Sequence, residues 1–407
     1  MRAIAALALT WALVVTGLAQ TPAPAAPGAA TPCPRCGWLP PAAKRTVVVR
    51  TVGELEQAVR GAREGDEILL ADGRYSLQRT IEISVPGVTL RSQSGDRTRV
   101  ILHGRGMTGD TVGVAVAAGA SRVTIADVTI RSVGFHPVQV RGENGASNFT
   151  LHNAVLEDAG QQLLKAGISD NGKYSADGLV ACSTFSFTTH APSDYTNGVD
   201  ILGTKRWVVR DNSFARIRGP QNSAGPAILA WYGSEDTVVE RNIVVDSFRG
   251  IALGLRDRHT GLEYDHLRGI IRNNIIVNLN PWADEGIEAN GARGARILHN
   301  TVLVRGRLPW SIGVRFPTTT ADVRNNLTVM GIRSRDGGVM VAEAGNVSGA
   351  TMAWFVNAPA DLRLTPAGAR AVDAGVAVED VLQDFNRAPR VAGRAPDAGA
   401  IEMASSR

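Results

Sequence analysis

The clearest pattern along this chain is a short apolar strand that recurs around one small polar residue. VTIADVTI ends at Ile130, TLHNAVL at Leu156, VVRDNSF at Phe214, VVERNIVV at Val245, IIRNNIIV at Val277, ILHNTVLV at Val304 and VRNNLTV at Val329. Aligned on the central residue, the series reads Asp127, Asn153, Cys182 (in GLVACSTF), Asn212, Asn242, Asn274, Asn300 and Asn326, with Asn346 as a candidate to close it. Successive steps are 26, 29, 30, 30, 32, 26 and 26 residues. A period of that size fits one solenoid coil of three short strands plus turns, stacked ~4.8 Å per rung by parallel pairing. A polar residue repeated at one turn can hydrogen-bond its copies above and below, so the asparagines read as a structural ladder. In the same register Cys182 reads as a buried, unpaired and inert thiol.

One helix precedes the repeats. Thr51-Val52-Gly53-Glu54 has the capping-box pattern, and Leu55, Ala58, Val59 and Ala62 follow at amphipathic helical spacing. A solenoid needs such a cap, because its first coil would otherwise expose a sheet edge and an open core. Composition agrees with repetition: 44 Gly and only 5% aromatic residues describe many turns and small side chains.

The amino terminus changes the picture of where the protein works. Arg2 and an almost wholly apolar run from Ala3 to Leu18 lead to small residues at Gly17-Leu18-Ala19, which reads as a cleavable signal peptide over 1–19. Residues 20–43 form a Pro/Ala-rich linker carrying a lone CxxC, Cys33 and Cys36. Nothing later is apolar for long enough to span a bilayer. The expectation is a secreted or periplasmic monomer with a β-helix over 44–350 and a C-terminal cap or tail over 351–407. The formal charge is +5 with dispersed basic residues, which suits an acidic partner and gives no nucleic-acid patch.

The helix cap and the asparagine ladder, from Thr46 to Ser348, resemble the pectate-lyase-like superfamily of right-handed parallel β-helices. The tail DFNRAPRVAGRAPDAGAIE, Asp384 to Glu402, is similar to the C-terminal region of many exported bacterial β-helix proteins. The resemblance implies an all-β fold, a right-handed parallel β-helix with a short N-terminal capping helix. It does not fix the chemistry, because the fold carries lyases, hydrolases, epimerases and inert adhesins. The GHG motif of polygalacturonase-like hydrolases is missing, as is the W-x-D-H type motif of pectate lyases. The Lys-plus-Arg lyases of the superfamily use a calcium held by Asn and Glu, so calcium is a possible cofactor here, although the chain has no clear ligand set.

Chemistry is sought on the strand before the ladder in each coil. Val138-Gln139-Val140, Leu164-Lys165-Ala166 and Val199-Asp200-Ile201 have apolar flanks and an outward central residue, so Gln139, Lys165 and Asp200 form a column on one face. The strand ending at Trp231, Glu288 and the strand ending at Arg315 continue it. Long loops cluster on the approach to this face and bring His190, Tyr195, Arg218, Arg249, Arg256 and His266 towards the column. Such a set fits an acidic polysaccharide: Arg and Lys hold carboxylates, and Trp and Tyr stack on sugar rings. The leading expectation is a polysaccharide lyase acting by β-elimination. In it Lys165 is the base, its pKa lowered by basic neighbours; Arg218 or Arg249 neutralises the uronate carboxylate, Asp200 positions Lys165 or holds a cation, and Tyr195 or His190 protonates the leaving oxygen. Gln139, Trp231, Arg256, His266, Glu288 and Arg315 would line the substrate. The alternatives are a glycoside hydrolase using Asp200, with Glu235 or Asp236 as second acid, and a non-catalytic carbohydrate-binding solenoid.

Overall fold

The computed structural model describes residues 38–117, 119–167, 173–259 and 261–403. Each coil contributes one strand to each of three long parallel sheets. A ten-stranded sheet runs from Ile81–Ile83 to Gly331–Arg335, a twelve-stranded one from Arg45–Val49 to Val339–Ala344, and an eleven-stranded one from Gly73–Ser76 to Val347–Ser348. The strands are mostly three to five residues long, with their apolar flanks pointing inward. In the triplet Val138-Gln139-Val140 both valines are fully buried and Gln139 is half-buried. A single coil could not bury that stripe alone; stacking makes one continuous core, including the parallel-stacked rings of Phe185 and Phe214, 4.6 Å apart.

The helix forms as expected, over Val52–Arg60. Thr51 is its N-cap and accepts the Glu54 amide at 3.1 Å, while Glu54 reaches back to the Arg50 amide at 2.6 Å. Leu55 and Val59 are buried in the main core, and the helix touches the first strands of two sheets, closing the open end.

The ladder is present and its register is corrected by one residue in the early coils. Asn212, Asn242, Asn274, Asn300, Asn326 and Asn346 form an unbroken series, each Nδ2 donating to the next Oδ1 at 3.0 or 3.1 Å. Ser183 stands next in the series: its amide donates to Asn212 Oδ1 at 2.9 Å, and its hydroxyl accepts the Ala154 amide. Asp127, Asn153 and Cys182 belong instead to a neighbouring column one residue earlier, shared with Asp211, Arg241, Asn273, His299 and Asn325. Every member of that column has a positive φ between 46° and 59°. The chain turns sharply there between two sheets, and the short polar side chains that tolerate a left-handed backbone are common at such turns. Asn153 accordingly bonds Asp127, at 2.7 Å, within its own column.

Cys182 is buried, but it is disulfide-bonded, which overturns its reading as an unpaired, inert thiol. The other two cysteines of the chain, Cys33 and Cys36, lie outside the described residues, as does the expected signal peptide. Just after them, Trp38 stacks on His152 with ring centroids 4.5 Å apart, on the same side of the solenoid.

Residues 351–403 fold back along the solenoid. Trp354, Phe355, Leu362, Leu364, Ala398 and Ala400 pack on Ile275, Val277, Leu303 and Leu327, the outward apolar residues of the eleven-stranded sheet. The segment DFNRAPRVAGRAPDAGAIE is a polar clasp. Buried Arg390 donates to the Gly399 and Ala400 carbonyls and to Asn273, Asp384 accepts the Ala388 and Glu402 amides, and Ala400 donates to Thr301. The tail thereby covers a face other than that of the ten-stranded sheet, where the column of candidate residues lies. Among the described residues no helix is long and apolar enough to cross a membrane.

Candidate functional site

The outward column of the ten-stranded sheet reads Glu82, Ala115, Gln139, Lys165, Asp200, Leu229, Ala252, Glu288, Gly313 and Arg333 in continuous register. Gln139, Lys165 and Asp200 therefore stand on successive rungs, and Glu288 is three rungs beyond Asp200, ~14 Å by rung spacing. Small apolar side chains, Leu229 and Ala252, floor the stretch between. Trp231 stands two residues along its strand from Leu229, and Arg315 likewise from Gly313, flanking the column.

The first cluster surrounds Asp200. This carboxylate is buried, and Oδ1 accepts the Trp231 indole N–H at 2.8 Å. Burial pushes its pKa up to about 6, against the pull of the Lys165 charge and the indole hydrogen bond. Lys165 donates from Nζ to the Tyr195 hydroxyl at 3.3 Å, and Tyr195 is 57% exposed, so its oxygen is open to a ligand. The expected basic neighbours of Lys165 are not there: its rung neighbours are the Gln139 amide and Asp200. Its charge is open to an incoming anion.

Arg249 and Arg218 are already compensated. Arg249 Nε donates to Asp284 at 2.6 Å and lies 3.5 Å from Glu288, which with Asp284 raises its pKa. Arg218 donates to Asn222, pairs with Asp246 at 3.7 Å and lies over the Trp282 ring. Both guanidiniums thus already face a protein carboxylate, unlike the Lys165 ammonium. His190 shares Asn222 with Arg218, at 3.2 Å, on the exposed rim. Arg315 pairs with Asp336 and lies over Phe316 at the far end, and Arg256 is exposed.

Two further corrections concern the lining. His266 is fully buried at a different turn, where Nε2 meets Thr237 Oγ1 at 3.0 Å; burial lowers its pKa to about 3, and it cannot reach a substrate. Glu235 and Asp236 bind Lys205, Tyr264 and Arg268 beside that same turn, so neither supplies a second acid for Asp200.

A second cluster sits at Glu288, which the sequence places on this face without its partners Glu285, Asn290 and Trp310. Asn290 donates to Glu288 Oε2 at 2.9 Å, and the Glu285 carboxylate occupies the space above Gly313, one rung on, where a Cβ would lie 2.1 Å from its Oε1. The Trp310 indole and Arg335 hold Glu285, yet burial, and next the Glu288 charge, push its pKa up to about 7. Among the described residues no group of three or more His, Cys, Asp or Glu side chains is placed to hold a metal ion.

These shifts predict how stability depends on pH. Asp200, Glu285 and Glu402 have folded pKa values above their unfolded ones, so their contribution is fully present below about pH 4 and is lost as pH rises through about 6 to 7. Buried His136, His152, His266 and His299, lowered to about 4, 4, 3 and 3, contribute above about pH 6.5 and lose that as pH falls. The four histidines outweigh the three carboxyl groups, so stability climbs from about pH 4 to a maximum near pH 7 and is nearly level above it, and the loss lies on the acid side. Thermal unfolding followed from pH 4 to pH 9 checks this; Glu285→Gln should steepen the climb between about pH 4.5 and 7 and leave the profile above that range unchanged.

No protein-family model matches the chain, and no curated protein sequence matches it. Solved structures do. The crystal structure of pectate lyase Pel9A superposes with a TM-score of 0.59 at 15% identity, over 89% of this chain and 97% of that one. The tailspike protein of E. coli bacteriophage HK620, in complex with a pentasaccharide, gives 0.53 at 12% identity, over 77% and 60%. The similar structures are right-handed parallel β-helices, and this chain shares that fold.

Proposed function

We propose that this chain is an exported carbohydrate-active enzyme that cleaves a uronate-containing glycan by β-elimination on the ten-stranded sheet. The observation that carries the reading is the cluster on adjacent rungs: the Lys165 ammonium bonded to the open Tyr195 hydroxyl, above a buried Asp200 that fixes Trp231. The similar structures support a glycan as ligand, since one is a pectate lyase and another holds a pentasaccharide.

In this mechanism Trp231 offers a ring for a sugar to stack on, and the Lys165 charge meets the uronate carboxylate. Tyr195 Oη, having released its own proton to solvent and standing as a phenolate against the Lys165 ammonium, takes the proton on the carbon beside that carboxylate. The electron pair is held as an enolate against Lys165, then forms the new C=C bond as the glycosidic C–O bond to the leaving sugar breaks. Asp200 is too buried to touch substrate and acts as a positioning residue for Trp231 and Lys165. Assigning the anion contact to Lys165 and the proton to Tyr195 follows from the neighbours of Lys165 and from the pairing of Arg218 and Arg249.

Polygalacturonate and alginate, among a panel of uronate polymers, should gain ultraviolet absorbance from the unsaturated product when incubated with the protein, tested with and without calcium. New reducing ends without that absorbance would replace elimination by hydrolysis. Measurable binding with intact glycan would leave a carbohydrate-binding solenoid.

A further inference from the structure

On the opposite side of Trp231 from Asp200 stands a pair that the mechanism above leaves unused. His259 and Asp265 come from the loop DRHTGLEYDHLR, which the repeat pattern marks as an insertion towards this face. His259 Nδ1 is 2.7 Å from Asp265 Oδ1. Asp265 is fully buried and also accepts the Tyr232, Leu255 and Arg256 amides at 3.0, 2.7 and 3.1 Å. A carboxylate held by three backbone N–H groups stays an acceptor, so the fourth contact requires a proton on His259 Nδ1. That leaves Nε2 as the nitrogen that gains and loses the second proton. The imidazole packs against both Tyr232 and Trp231, with ring centroids 4.2 and 5.2 Å away, and retains 13% side-chain exposure. Trp231 is itself fixed by its bond to Asp200, so the His259 ring is held at a set distance from the Lys165–Tyr195 cluster.

We propose that His259, oriented by Asp265, is the general acid of the site and protonates the leaving glycosidic oxygen. The inference rests on the β-elimination reading. Tyr195 removes the proton on one side of the sugar; as the C–O bond breaks, the leaving oxygen takes its electron pair and the proton from His259 Nε2. The imidazolium before that step is stabilised by Asp265, and the neutral ring afterwards regains its proton from water. Atoms and charge balance without metal or redox partner. The same wall makes Trp231 and His259 the natural seat of the sugar on the leaving side.

The test compares wild type with His259→Gln on two substrates: the uronate polymer that the wild type cleaves, and a 4-O-nitrophenyl uronate whose phenolate needs no proton to leave. The expected result is a fall in kcat of about 10²–10³ on the polymer with KM nearly unchanged, shrinking to less than about tenfold on the aryl substrate. Equal loss on both, or no loss on the polymer, overturns the inference while elimination itself stands. Imidazole nitrogen shifts give a second readout that needs no activity: neutral His259 should carry its proton on Nδ1, and a neutral ring protonated on Nε2 overturns the assignment even if the variant fails to fold. A wild type silent on every uronate polymer defeats the elimination reading, and the general-acid role falls with it.

Discussion

Lys165→Ala is expected to lower formation of unsaturated product by about 10³-fold while leaving the unfolding temperature nearly unchanged. Removing one preorganised charge aimed at a developing oxyanion costs about 10²–10³. Here the same side chain also holds Tyr195, at 3.3 Å, so the proton acceptor is loosened at the same stroke. Stability should barely move, because Lys165 is half-buried on an outward position and its neighbours Leu164 and Ala166 carry the packing. Lys165→Arg should not restore the rate, since a planar fork cannot replace a compact ammonium at the same Tyr195 and Asp200 distances. The change has one further sign: without the Lys165 charge, which helps keep Asp200 ionised, the Asp200 pKa should rise above about 6. Retained activity in Lys165→Ala would move the chemistry off this cluster.

Asp200→Asn separates positioning from charge. The amide can still meet the Trp231 indole, so Trp231 should stay in place, and the burial penalty on a carboxylate disappears. Rate loss with unchanged or raised stability is the expected pair of results.

What could be read from the sequence divides along physical lines. The column Gln139, Lys165, Asp200 was legible because alternation along a strand is a two-residue rule and stacking converts a period into adjacency. The asparagine ladder was legible for the same reason, but its register slipped by one at Asp127, Asn153 and Cys182. Those residues share the size and polarity of ladder asparagines while occupying left-handed turn positions, and pattern alone does not distinguish the two demands. The disulfide at Cys182 hid behind that slip. Loop residues fared worst. His259 and His266 are only seven residues apart, yet one lines the face and the other is buried at another turn. Nothing periodic governs a loop, so the sequence puts His259 in one loop with Asp257, Glu263 and Asp265 but does not say which of them it pairs with. Arg249 illustrates the limit for charges: its strand position was accessible, whereas its neutralisation by Asp284 and Glu288 depends on side chains from the next coil.

Asn242→Leu should cost about 3 kcal/mol or more, the largest stability loss of any single ladder substitution together with that at Asn274. Asn242 is fully buried; its Nδ2 donates to Val209 O, Glu240 O and Asn274 Oδ1, and its Oδ1 accepts both the Asn212 amide at 3.1 Å and Asn212 Nδ2 at 3.0 Å. Leucine is close in size, so no cavity opens, and the loss is one of polar satisfaction: donors of Asn212 and acceptors at Val209 and Asn274 lose partners where water cannot enter, each at about 1–3 kcal/mol when fully orphaned. Asn346→Leu is the internal control. It ends the series and is half-buried, so its neighbours can turn to water, and about 1 kcal/mol is expected. Chemical denaturation of the two variants beside wild type measures the difference. A mid-ladder cost no greater than that at Asn346 would mean that the coils are held by core packing alone, with the ladder contributing only register.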